Sequence, residues 1–186
     1  MVGLQVTPKT RGVKEAVAAE RWDEAVRRDH QRLKNQADVL DSALGVQVGD
    51  QDRRVVLSWV LRSLWPELEL HLRKEEEALL RPLAQLLGRD SRAVAMLRKE
   101  HADLRASFRH LAELLQDPDP LEWDRIELAV DGFRCLLEEH EKLGDHLLLD
   151  VLRYSLAPKE LDRLMEVYRR VEEKAHEEEG WPKRKE

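Results

Sequence analysis

Apolar residues in this chain recur at spacings of three and four rather than two, and that period restricts the fold to packed helices. Glycine and proline punctuate only a few places, so the helix breaks can be located. A first helix is expected from about Val13 to Leu44, followed by a turn over Gly45 to Asp50. The second is expected from about Gln51 to Leu87. Pro66 and Pro82 should bend it or end it early, because proline removes a backbone donor and crowds the preceding turn. Gly88 reads as its C-cap. A third helix starts near Ser91 and ends at Asp117-Pro118-Asp119-Pro120. Asp119 can cap the fourth, with Pro120 at its first position and Glu122 completing a box-like pattern, and that helix reaches about Leu156. A fifth begins at Pro158 and carries Leu161, Leu164, Met165, Tyr168 and Val171 on one face, suited to docking. Beyond Glu173 the sequence turns polar, and Trp181 to Glu186 reads as a frayed tail. The expected fold class is all-α: an up-and-down antiparallel four-helix bundle with an additional C-terminal helix. One domain is expected over residues 1–179, with a tail over 180–186.

Composition narrows the function. The chain has 186 residues, 38 acidic against 32 basic, and a net charge of −6. The charges are mixed along its length, so no basic stripe exists to neutralise a nucleic-acid backbone. No apolar run approaches the roughly 18 residues of a membrane span, and the first ten residues lack the apolar core of a secretory signal. No nucleic acid, no membrane and a cytoplasmic location are the expectations. Cys135 is the single cysteine, which excludes an intramolecular disulfide and a cysteine-based zinc site.

Four histidines fall one to a helix: His30, His71, His101 and His140. Each interrupts an apolar seam. His71 shares its face with Leu57, Val60, Leu64, Leu68 and Leu79. His101 shares one with Val94, Leu97, Leu104, Phe108 and Leu115, His140 with Phe133, Leu137, Leu147 and Val151, and His30 with Val26, Leu33 and Ala37. Positions four apart on a helix differ by about 40° around the axis, so Glu75 points the same way as His71 from the next turn. Asp145 follows His140 by five positions. A single histidine on such a face reads as a core residue bonded to a carbonyl. Four on different helices satisfy one another most simply by converging on a cation neutralised by carboxylates. Imidazole and carboxylate together suit iron, zinc or manganese. His110, His146 and His176 lie off these faces and are expected to meet solvent, with His146 a spare ligand beside Asp145.

The stretch His71-Leu-Arg-Lys-Glu75-Glu-Glu-Ala-Leu-Leu-Arg-Pro82 resembles the second-helix signature of the hemerythrin-like HHE cation-binding family. Asp29-His30 and Glu100-His101 are similar to its first- and third-helix histidine positions, His140 with Asp145 to its fourth-helix spacing, and Ser155 to Glu160 to its entry into a fifth helix. The likeness runs from about Ala18 to Val171. It implies two irons held by His30, His71, His101 and His140 and bridged by Glu75 and Asp145. It also implies binding of dioxygen, nitric oxide or another small ligand, redox chemistry, or iron handling, without a fixed enzymatic reaction.

Two positions depart from that pattern. Arg105 stands where hemerythrins place a second third-helix histidine, bringing a fixed charge toward the site. Water could fill the coordination gap, one metal could bind, Arg105 could pair with Glu75 or Asp145 and leave the site empty, or its side chain could snorkel at the bundle edge. Gly144 stands where many family members carry a glutamate, for which Asp145 is the replacement unless it faces solvent; Glu76 and Glu141 are poor substitutes by geometry.

Three other functions compete. A ferritin-like di-iron enzyme needs two Glu-x-x-His pairs, and the one here, Glu173-Lys-Ala-His176, lies in the polar tail. An oxidoreductase on the hemerythrin scaffold would use the same ligands. A metal-free helical interaction module would retain the bundle with a decayed site.

Overall fold

A computed structural model describes residues 11–116 and 123–178, without the side chains at 11–22, 146, 147, 176 and 178. The described residues are all helix and short connections. Helix α1 spans Arg11–Leu44 and α2 spans Asp50–Lys74; a π-helical segment over Glu75–Leu80 then leads into α3, Arg81–Leu87. Helix α4 covers Arg92–Gln116 and α5 Trp123–Leu143. A second π-helical segment, Gly144–Leu149, continues into α6, Asp150–Ser155, and α7 closes the described chain over Pro158–Glu178.

Around the bundle α1 packs on α2, α2 on α4, α4 on α5, and α5 back on α1. This is the antiparallel four-helix arrangement that the periodicity predicts, with α7 as the additional helix against α1, α2 and the first π segment. Pro66 does not end α2 and is accommodated inside it. Pro82 falls at the start of α3, just past the wide turn, where a missing N–H costs least. Gly88 ends α3 at φ 91°, the left-handed region that favours glycine. The expected cap at Asp119 and the tail at Trp181 lie outside the described residues.

The core has two dry ends. One is built from Leu33, Leu40, Leu64, Leu104, Phe108 and Phe133, among others. The other is built from Val26, Leu79, Leu83, Leu97, Leu148 and Leu164 with their neighbours. Along each bundle helix the histidine stands where one cluster gives way to the other. The four histidines therefore form a single polar layer inside an apolar column, and all four are buried.

Both π segments begin at this layer. A turn of that kind admits an extra residue, so consecutive apolar side chains reach the core together. Ala78, Leu79 and Leu80 are all buried in the first segment, and Leu148 and Leu149 in the second.

Helix α7 braces the layer from outside. Tyr168 donates its hydroxyl to Asp29 Oδ2 at 2.7 Å. Lys74, only 2% exposed, donates to Asp29 at 2.8 Å and approaches Glu172 at 3.1 Å, with its ammonium 4.6 Å from the centre of the Tyr168 ring. Burial of that ammonium is tolerated because two carboxylates and an aromatic face surround it. Asp29 and Lys74 adjoin His30 and Glu75 in sequence, so α7 is tied to the two helices that carry them.

Candidate metal centre

Glu75 is fully buried at the centre of the layer. Its two oxygens divide the histidines into pairs. Oε1 lies 3.3 Å from His30 Nε2 and 3.5 Å from His71 Nε2; Oε2 lies 3.2 Å from His101 Nε2 and 3.4 Å from His140 Nε2. His71 Nε2 and His140 Nε2 are 3.2 Å apart. Donors adjacent on one cation with bonds of about 2.1 Å stand roughly 3.0–3.4 Å from each other, close to the 3.2–3.5 Å of these edges. His30, His71, Glu75 and His140 each offer a donor atom within 4.8 Å of all the others.

The electrostatics suit a cation. Burial drives the His71 imidazole well below its ordinary value against the pull of Glu75, and drives His140 down to about 4. Both rings are neutral near pH 7, with lone pairs for a metal. Burial alone would push the Glu75 carboxyl up, but the surrounding imidazoles, His71 and His140 foremost, outweigh it and hold it well below the carboxylate range. His101 behaves differently. Burial opposes its charge, yet hydrogen bonds to Glu75 and Glu76 raise it to about 9, so in the absence of metal it is an imidazolium.

An outer ring of carboxylates faces the far nitrogens of three histidines. Glu76 Oε1 is 3.0 Å from His101 Nδ1, Asp145 Oδ1 is 3.9 Å from His30 Nδ1, and Glu100 Oε2 is 3.9 Å from His140 Nδ1. In the two longer pairs both facing atoms are buried without a hydrogen-bond partner. A small approach would satisfy all four. Carboxylates in this position fix the imidazole tautomer so that Nε2 faces a metal. The donor set, its spacing and these orphaned atoms all fit a cation at the layer.

The structure thus brings together five of the six residues expected to ligate: His30, His71, Glu75, His101 and His140. Asp145 is placed elsewhere, behind His30 and on the side away from Glu75, with Arg27 Nε 3.8 Å from its other oxygen. The backbone position facing the centre is Gly144. A Cβ there would stand 3.4 Å from His30 Cε1, 3.7 Å from His30 Nε2 and 3.8 Å from Glu75 Oε1. Lacking a side chain, Gly144 offers the centre no donor from this position.

Arg105 pairs with neither Glu75 nor Asp145. Its guanidinium forks onto Glu69 at 2.8 and 3.0 Å and donates to Glu76 Oε1 at 2.7 Å. The bidentate geometry of guanidinium and carboxylate selects this outward arrangement. Glu76 thereby links Arg105 to His101, and the two donors lower its carboxyl to about 2 despite partial burial. Sequence reasoning missed Glu69; it stands seven residues before Glu76, two turns along one face, which is the signal that could have exposed it. His110 is exposed as expected, while the side chains of His146 and His176 lie outside the described residues.

The family model for the Hemerythrin HHE cation binding domain matches residues 23–152, a span that begins before His30 and ends after Asp145. Neither curated proteins nor solved structures provide a match to the chain.

Proposed function

The chain belongs to the hemerythrin HHE cation-binding family, and from that premise we propose that it is a non-haem iron protein whose centre is shared through Glu75. The observation that carries this reading is the division of the four histidines between the two oxygens of one buried carboxylate. His30 and His71 would hold one iron and His101 and His140 a second, with Glu75 bridging. Asp145 serves in this reading as a carboxylate behind His30 and not as a second bridge. Iron in such a ligand set would supply binding of dioxygen or nitric oxide, redox sensing or carriage, or iron handling.

The chain's own residues set the conditions. Ionised Glu75 and neutral His71 and His140 offer donors without a prior proton loss, whereas His101 must release a proton to ligate. At Gly144 even a Cβ would touch His30 and Glu75, so backbone and not a side chain packs against this edge of the centre. The two apolar clusters above and below the layer keep bulk water from it.

One specific observation favours a second reading, a single cation. His30, His71, Glu75 and His140 each offer a donor atom within 4.8 Å of all the others, a complete set for one metal without His101. Elemental analysis of untagged protein grown with ample iron separates the two readings by the metal-to-chain ratio. Admitting oxygen to the reduced, loaded protein then distinguishes reversible binding from catalytic consumption. A preparation without stoichiometric transition metal defeats both.

A further inference from the structure

A groove of about 580 Å3 runs between α3 and α4, beside the metal layer but separate from it. Its walls carry Arg81 and Gln85 from α3, Arg89 from the turn that Gly88 makes, and Arg98 from α4. Glu76 is the one carboxylate that lines it. In a chain of net charge −6, three guanidinium groups on one concavity are a local reversal of sign.

These arginines differ from others on the surface. Arg27, Arg32, Arg105, Arg134 and Arg153 are each paired with a carboxylate. Arg81, Arg89 and Arg98 have no acidic partner among the described residues. The one carboxylate in the groove does not neutralise them, because Glu76 is already held by Arg105 at 2.7 Å and by His101 at 3.0 Å. Arg81 and Arg98 come from the two helices that flank the groove, and Ala84 and Leu80 complete its lining. The volume lies within the range of about 300–1,000 Å3 typical of small-molecule sites.

We propose that this groove binds a small, multiply charged oxyanion, a phosphate ester or a polycarboxylate, by charge-assisted hydrogen bonds from Arg81, Arg89 and Arg98. Arginine is suited to that role because its planar fork meets two oxygens at once. Gln85 adds a neutral amide donor or acceptor at the same wall. The inference does not depend on which metal the neighbouring layer holds, or on whether it holds one.

The test is calorimetric titration of the full chain with pyrophosphate and, separately, with citrate, each against sodium chloride of matched ionic strength. Saturable binding of one or both is expected, and the stronger of the two identifies the source. Arg89→Gln and Arg98→Gln should each weaken it about tenfold, the scale of one partly solvated charge-assisted hydrogen bond. Arg170→Gln, on the exposed face of α7, should leave it unchanged. All three side chains are exposed, so circular dichroism should report an intact fold in each variant. Absence of saturable binding by both anions overturns the proposal, as does equal weakening in all three variants, which would mark a nonspecific charge effect. Binding only of an acidic peptide, with neither small anion taken up, also overturns it.

Discussion

The apolar end of the bundle and the histidine layer are built on the same four helices, a turn or two apart, and answer to opposite rules. Around Phe133 and Leu64 every side chain is apolar and close-packed, and the helices gain their stability there. One step along the column, four imidazoles and a carboxylate take positions that leucines would fill at less cost. The difference teaches that the layer is not what holds the fold together. The layer costs stability and the dry end supplies the rigidity that keeps its donor atoms in place.

The sharpest way to break this comparison is to damage each region separately. Phe133→Ala should destabilise the protein by about 3–5 kcal/mol, read as a lower denaturant midpoint, while the folded fraction keeps its metal. Metal loss in proportion to destabilisation would show that the two regions are not separable. His71→Ala should do the reverse and abolish stoichiometric metal while the apoprotein stays folded, and His110→Ala should change neither property. Equal metal contents in the two histidine variants would contradict the assignment of faces.

A smaller effect is expected one shell out. Glu76→Gln keeps the volume but loosens the hold on His101 Nδ1, and metal affinity measured by chelator competition should fall about 10–100-fold. No change would mean that Glu76 serves only Arg105.

The smallest effect is on pH dependence. In the metal-free protein His101 titrates near 9 against 6.5 when unfolded, so its contribution is complete below pH 6.5 and is lost as pH rises through 9. Glu76, lowered to about 2, contributes above 4.5 and loses that contribution as pH falls through 2. Glu100, raised to about 7 chiefly by burial, subtracts stability as pH rises from 4.5 to 7. Urea midpoints of the apoprotein should therefore decline from about pH 6 to about pH 9.5, and the decline should be shallower in His101→Ala. Metal affinity should move the other way, rising with pH as His101 gives up its proton. Parallel pH profiles for the two quantities would contradict this assignment.

Much of this was legible in the sequence because it rests on period. The helical spacing of Leu57, Val60, Leu64 and Leu68 gives α2 its buried face, and the same arithmetic aligns His71 with Glu75. What period cannot supply is the register inside a π segment, where the turn widens. That is why the side chain five residues after His140 stands behind His30, and why Gly144 occupies the position facing Glu75. The runs Ala78-Leu79-Leu80 and Leu148-Leu149, too continuous for one face of an α-helix, were the available sign. Arg105 was conspicuous as a departure, but its partner Glu69 lies on another helix, and the seven-residue spacing of Glu69 and Glu76 marks a shared face without saying which cation meets it.

One buried carboxylate, Glu75, faces two pairs of histidines, so its amide should leave the centre empty. Iron per chain, measured side by side in the native protein and in Glu75→Gln after identical growth and purification, tests it most directly. Stoichiometric iron is expected in the native protein and near-complete loss in the variant, with the helical signal of both unchanged. Equal iron in the two proteins would place the metal away from Glu75.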